Sequence, residues 1–248
     1  MSKPLPGAWQ LIVDSWRMFT ATWNQTTQIT IWFLYVGLAA FAVSVLAKLN
    51  PWAALLDIPV QIAAVIVSLW CGIRLFLALL NLVDGKPVGD LKTGATQAWG
   101  MFLPMVLVGL LQGLVIFGGF IVLIIPGIYL SVALAYAQLA YVDQGVRGWQ
   151  ALSFSRELVR DRWWGVFWRN LTSSLVMGLG LSLIVLLVLG IFGLAAGPEQ
   201  FFAMADPNNE DPLLSGATSL LDSILQAAFL PFILGFQVRM YRVLQKTR

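Results

Sequence analysis

LTSSLVMGLGLSLIVLLVLGIFGLAA, Leu171–Ala196, contains no charged side chain from end to end. A helix rises about 1.5 Å per residue and needs about 20 mostly apolar residues to cross the hydrocarbon core of a bilayer, so this stretch reads as a membrane span. Working outward, Ile29–Leu49, Ile58–Val83 (interrupted by Arg74), Met101–Ile124, Ile128–Val142 and a stretch from about Ser215 to Val243 have the same character. Pro126-Gly127 is expected to end or kink the third span, because proline removes a helical donor and disfavours helix before it. The fourth segment then falls short of a full crossing, and spans only if the kinked turn is sunk in the membrane and buried against protein. Pro231 is expected to kink the last span. The expected fold class is all-α, a polytopic integral membrane protein with six transmembrane helices.

Composition agrees. Of the 248 residues 59% are hydrophobic and 11% charged, with a mean hydropathy of +0.81, whereas soluble domains carry about 25% charged residues. The chain has no histidine, which excludes His-based acid–base chemistry and the Ser-His-Asp and Cys-His nucleophilic systems. The single cysteine, Cys71, lies in an apolar run and reads as core filler. No phosphate-binding glycine loop, paired catalytic carboxylates or nucleic-acid-binding motif is present, so the expectation is a non-enzymatic protein with no cofactor and no metal. The outer loop with Glu199, Asp206, Glu210 and Asp211 has oxygen ligands but not EF-hand spacing, and reads as a solvated loop.

Charge sets the orientation. With the N-terminus placed inside, thirteen of the fifteen Lys and Arg residues fall on one side, Lys48 on the other and Arg74 within a span. Cytoplasmic loops of bacterial membrane proteins are enriched in basic residues, so both termini are expected in the cytoplasm and the chain in the inner membrane. The first apolar stretch begins late and is too long for a cleavable signal peptide, so it reads as an anchor.

Ahead of the first span, Trp9, Ile12, Val13, Trp16, Phe19 and Trp23 form one stripe when wound at about 100° per residue, with Gln10, Asp14 and Arg17 opposite. Such a helix either lies in the interface plane or packs on the cytoplasmic ends of the spans. A counterpart follows later in the chain, where one constant offset pairs Trp9 with Trp149, Gln10 with Gln150, Ser15 with Ser155 and Trp23 with Trp163. Between them, Val83-Asp84-Gly85 and Trp99-Gly100-Met101-Phe102 echo Val142-Asp143-Gln144 and Trp164-Gly165-Val166-Phe167. The chain therefore reads as one membrane domain of three parallel units, 1–83, 84–142 and 143–248, each an amphipathic helix followed by a hairpin.

Two groups of residues are candidates for function. Arg147, Arg156, Arg160, Arg162 and Arg169, with Trp163, Trp164 and Trp168, form either an anionic-lipid surface or ordinary topology determinants and interface anchors. Trp9 and Trp16 are expected at the same interface. Inside the membrane, Arg74 is either a structural residue or part of a transport site, with Trp70 as a cation–π partner and Gln112, Gln138, Asp222 or Gln226 opposite. Gly109 and Gly113, and the glycines of the fifth span, permit close helix approach. The expected partners are anionic membrane lipids or another membrane protein, with a small-solute or lipid transporter as the alternative.

The run Ile125-Pro126-Gly127-Ile128-Tyr129-Leu130, then Tyr141-Val142-Asp143-Gln144-Gly145, Ala151-Leu152 with Ser155, and Arg160-Asp161-Arg162-Trp163-Trp164 resembles the membrane domain of bacterial glycerophosphoryl diester phosphodiesterases and its free-standing relatives. The likeness is strongest over residues 80–200. It implies a multi-helix membrane module and carries over no catalytic residue, since the chemistry of those enzymes belongs to a separate soluble domain.

Overall fold

A computed structural model of the chain describes residues 5–197 and 211–247. These are helical throughout, with no strand among the described residues: α1 (Ala8–Ala21), α2 (Trp23–Leu49), a 3-10 turn (Pro51–Leu56), α3 (Asp57–Val83), α4 (Leu91–Val122), α5 (Ile124–Ala133), α6 (Ala137–Gln144), α7 (Trp149–Val159), a second 3-10 turn (Arg160–Arg162), α8 (Trp163–Ala196) and α9 (Pro212–Lys246). Among the described residues six stretches are long and apolar enough to cross a membrane, and each overlaps one of the six read from the sequence. The acidic loop lies outside the described residues except for Asp211.

Contacts divide the chain into two units. The first takes Met1–Ile29, Trp70–Ser173 and Pro231–Arg248; the second takes Thr30–Leu69 and Ser174–Leu230.

In the first unit, the break between α4 and α5 is not at Pro126-Gly127. It falls at Leu123, whose extended backbone (φ −165°, ψ 156°) ends α4 and begins α5. Pro126 instead occupies the first turn of α5, where its missing N–H has no helical acceptor to lose. Gly127 serves the close contact of the two helices: a Cβ there would strike the Phe120 ring, and one at Gly119 would lie 3.2 Å from the Gly127 Cα. Starting at Ile124, α5 and α6 together make a stretch of 21 residues, so the short fourth segment gains the length it lacked. The helix breaks again after Ala133. Ser155 of α7 repairs this break, donating its Oγ–H to the Ala133 carbonyl (2.8 Å) and accepting from the Tyr136 N–H (3.1 Å). The two groups that the break deprives of helical partners are thereby satisfied. Neither Pro104 nor Pro231 ends its helix; α4 and α9 continue through them.

The amphipathic stripe of α1 is also rotated from expectation. Its buried face is Leu11, Ile12, Ser15, Met18 and Phe19, seated on α9 through Phe19 and Trp16 against Phe232 (ring centroids 6.0 and 5.3 Å). Trp9 and Trp16 stand beside that face, 68% and 48% exposed. The α7 face is Ala151, Leu152, Ser155, Leu158 and Val159. These are the α1 positions displaced by the same offset that relates Trp9 to Trp149.

In the second unit, α2 and α9 meet along a reciprocal small-residue seam. A Cβ added to Gly37 would lie 2.6 Å from Ser223 Cβ, and one added to Gly216 would lie 2.6 Å from Ser44 Cβ. Seven residues separate the two positions on each helix, about two turns, which keeps both on one face. The same antiparallel register brings Lys48 Nζ to the Asp211 carboxylate at 3.2 Å. The Leu213 N–H, then Lys48, hold that carboxyl below the usual carboxylate range. The glycines singled out from sequence behave differently. Gly113, Gly178, Gly180 and Gly190 have no neighbour within 4 Å of an added Cβ, and Gly109 meets only the Gln138 amide. In α8 the half-buried residues between 175 and 191 are Met177, Leu181, Val185 and Leu189, a single four-residue seam.

Close approach through atoms as rigid as a neighbouring Cβ predicts that Gly37→Val destabilises the protein by about 1–3 kcal/mol, while Gly178→Val stays within about 0.5 kcal/mol. Reversible unfolding in detergent or bicelles measures both; equal losses would contradict the seam.

Candidate functional site

The start of α8 builds a groove. After Val159 the backbone tightens into the 3-10 turn Arg160–Arg162 while keeping right-handed helical dihedrals, and α8 begins at Trp163. Trp163 is fixed on three sides. Its ring stacks on Phe167 (5.2 Å, 11°) and on Tyr129 of α5 (5.7 Å, 20°), and it meets Trp164 edge-on at 4.8 Å. Its indole N–H donates to the Tyr129 carbonyl at 3.1 Å. These aromatic rings, with Ile125, Ile128 and the 3-10 turn, line an open groove of about 800 Å³. The walls are mostly apolar, with Arg160, Asp161 and Arg162 supplying polar atoms at one part of the lining.

The expected basic surface is divided. Arg160, Arg162, Trp163 and Trp164 line the groove, whereas Arg147 and Arg156 lie outside its lining. Arg162 also donates to the side chain and carbonyl of Thr247. Arg169 is directed to backbone carbonyls. Its Nε donates to the Pro6 carbonyl (2.7 Å), one terminal nitrogen to Leu5 (2.9 Å) and the other to Gly165 (2.9 Å), so all three nitrogens are engaged by backbone and the residue anchors the segment before α1.

The expected intramembrane quartet is distributed over the two units. Arg74 is 6% exposed, lies 4.5 Å from the Trp70 ring centroid and donates to the Leu91 carbonyl at 3.4 Å, all within the first unit. Gln112 does not line the cavity beside it; the Gln112 Oε1 is buried without a hydrogen-bond partner. Asp222 and Gln226 belong to the second unit. There Gln226 donates to Asp222 one turn earlier, beside a cavity of about 110 Å³ shared with Gln61, Ser68, Ser219 and Ser223. Cys71 is fully buried and donates to the Ile29 carbonyl at 3.3 Å.

Sequence reasoning missed a cluster in the first unit. Arg242 of α9 bonds Asp84, just past α3, and Asp143 of α6, each at 2.7 Å. Asp143 also accepts from the Tyr241 hydroxyl and the Gln245 amide, both at 3.0 Å. The signal was present as the Val-Asp echo, at 83–84 and 142–143, but nothing in the spacing tied it to an arginine. Each aspartate shortly precedes a left-handed glycine, Gly85 (φ 73°) or Gly145 (φ 71°), at which the chain turns. Here the guanidinium already stands where a cation between two carboxylates would sit. Among the described residues no three carboxylate or cysteine side chains gather as a metal-binding group.

Comparison with models of known families, with characterised proteins and with solved structures finds no match to this chain.

Because Asp143 is only 10% exposed, removing its cation leaves a buried charge unpaired. Arg242→Gln is therefore expected to cost about 3 kcal/mol, and Asp143→Asn in the Arg242→Gln background should recover part of that loss. Unfolding free energies of the two single variants and the pair test this; strict additivity would refute the coupling.

Proposed function

We propose that this protein is a non-enzymatic, multi-pass protein of the bacterial inner membrane that holds an anionic lipid in the groove at the start of α8. The single observation that carries this reading is the joining of an apolar, aromatic-walled open groove of about 800 Å³ to the Arg160 and Arg162 side chains. A lipid offers the matching halves: acyl chain for the Tyr129, Trp163 and Phe167 rings, and phosphate for the guanidinium groups. Amphipathic aromatic rings are typical of membrane interfaces, and arginines beside an apolar stripe direct their heads to phosphate while their stems stay on apolar surface. The exposed Trp9, Trp16, Trp149 and Trp164 would sit at the same interfacial level.

Both termini would face the cytoplasm, on the distribution of Lys and Arg. The three-unit repeat is part of the proposal; the five buried positions of α1 that match those of α7 at a constant offset support it. The likeness to the membrane domain of glycerophosphoryl diester phosphodiesterases also remains a proposal, resting on the residues quoted for it. A small-solute or lipid transporter with a polar site near Arg74 is the second reading; within the first unit, Gln112 does not line the cavity beside Arg74.

Arg160→Gln with Arg162→Gln is expected to weaken retention of phosphatidylglycerol or cardiolipin by about five-fold per arginine, at about 1 kcal/mol each near a charged surface. Trp163→Ala should weaken retention of neutral and anionic lipid alike. Native mass spectrometry of protein extracted from its own membrane reads both. Lipid retention unchanged in all variants overturns the proposal, as does a stoichiometric protein companion lost with the same substitutions, which would make the groove a protein interface.

A further inference from the structure

We propose that Arg74 and the small cavity beside it form a binding site for a phosphate-type oxyanion, separate from the groove at the start of α8 and independent of what that groove binds. A guanidinium has five N–H donors. Arg74 as a residue is 6% exposed, yet its guanidinium makes one hydrogen bond, a part-buried 3.4 Å contact to the Leu91 carbonyl, besides its position over Trp70. Among the described residues the ion pairs are Lys48–Asp211, Arg242–Asp84 and Arg242–Asp143, so none of them involves Arg74. A charge withdrawn from water to this degree requires compensation by a counter-charge or by further hydrogen bonds.

The compensation has a place to sit. Arg74 lines a cavity of about 90 Å³, room for several waters or one small oxyanion, together with Asn81, Thr93 and Gln97. Asn81 and Gln97 carry amide N–H donors, the kind that completes a phosphate held by an arginine, whereas the Thr93 hydroxyl is already given to Asp90. Trp70 fixes the guanidinium from the other side: its indole N–H donates to the Ala95 carbonyl at 3.3 Å, tying the arginine's aromatic platform to the first turns of α4.

Asp90 is the one carboxylate in the lining, and its role is accounted for. It caps α4, accepting from the Thr93 N–H and hydroxyl, both at 3.2 Å. Its charge opposes an anion in the cavity. This provides a test, because asparagine keeps the cap while removing the charge.

Two sources offer the same chemistry, free inorganic phosphate and the phosphate of a phospholipid headgroup. In the first arm, protein stripped of lipid in detergent is titrated with inorganic phosphate against chloride at constant ionic strength, by calorimetry. In the second, native mass spectrometry scores phospholipid retained at one per chain in nanodisc-extracted protein. The proposal expects saturable one-to-one occupancy in one arm. Gln97→Leu and Asn81→Leu should weaken it about ten-fold, and Arg74→Gln at least as much, at the value of a hydrogen bond to a charged group. Asp90→Asn should tighten it. Should Arg74→Gln fail to fold, Gln97→Leu and Asp90→Asn decide alone. Absence of one-to-one occupancy in both arms overturns the proposal. So does occupancy indifferent to Asp90→Asn and Gln97→Leu. A large loss of stability in Asp90→Asn without any phosphate response would show that Asp90 is itself the counter-charge, and also refutes it. Trp163→Ala leaves this site untouched, so the two proposals fail separately.

Discussion

The Arg242 guanidinium joins three helix ends that are far apart in the chain. It lies 99 residues after Asp143 and 158 after Asp84, and bonds both. A planar fork of donors suits this task, since it can serve two carboxylates at once, whereas a lysine would offer a point charge. The Tyr241 hydroxyl and Gln245 amide occupy further acceptor positions on Asp143, so the buried carboxylate is well supplied with donors. The segment beyond each aspartate inherits its position. The loop after Asp84 lines the cavity beside Arg74, and the turn after Asp143 leads into α7, whose Ser155 bridges the break between α5 and α6.

Interruption of helix is managed locally in each case. Helices packed in an apolar setting gain little from the hydrophobic effect between them and depend on close contact and satisfied backbone groups. The Leu123 break is closed by Gly119 and Gly127, with no side chain to hold the helices apart. The Ala133 break is closed by a serine from a third helix. In the other unit, Gly37 and Gly216 accept Ser223 and Ser44 across α2 and α9, each helix supplying one glycine and one serine.

The spans were legible because long uninterrupted apolar runs have few alternatives as structure. Tryptophan was a poor guide to α1, because hydrophobicity alone does not separate a ring packed on protein from one left facing outward; Ser15 and Met18, not Trp9 and Trp16, complete its buried face. Glycine spacing was a poor guide in the same way, since a glycine permits close approach but does not supply a neighbour. Of the candidate site, the Arg160–Trp164 run was visible as chemistry, while its apolar wall was not, because Tyr129 and Ile125 reach it from a different helix. Long-range pairing was invisible for the same reason. Arg169 looked like its neighbouring arginines, and only the path of the chain before α1 distinguishes it.

That distinction has a consequence for the residues just ahead of α1. Arg169 grips the carbonyls of Leu5 and Pro6, atoms that every amino acid carries in the same form. The anchor is therefore blind to side-chain identity there but sensitive to how many residues separate it from α1. A segment held in this way can drift freely in sequence while its length stays fixed, so it would be recognised among related chains by spacing, not by composition.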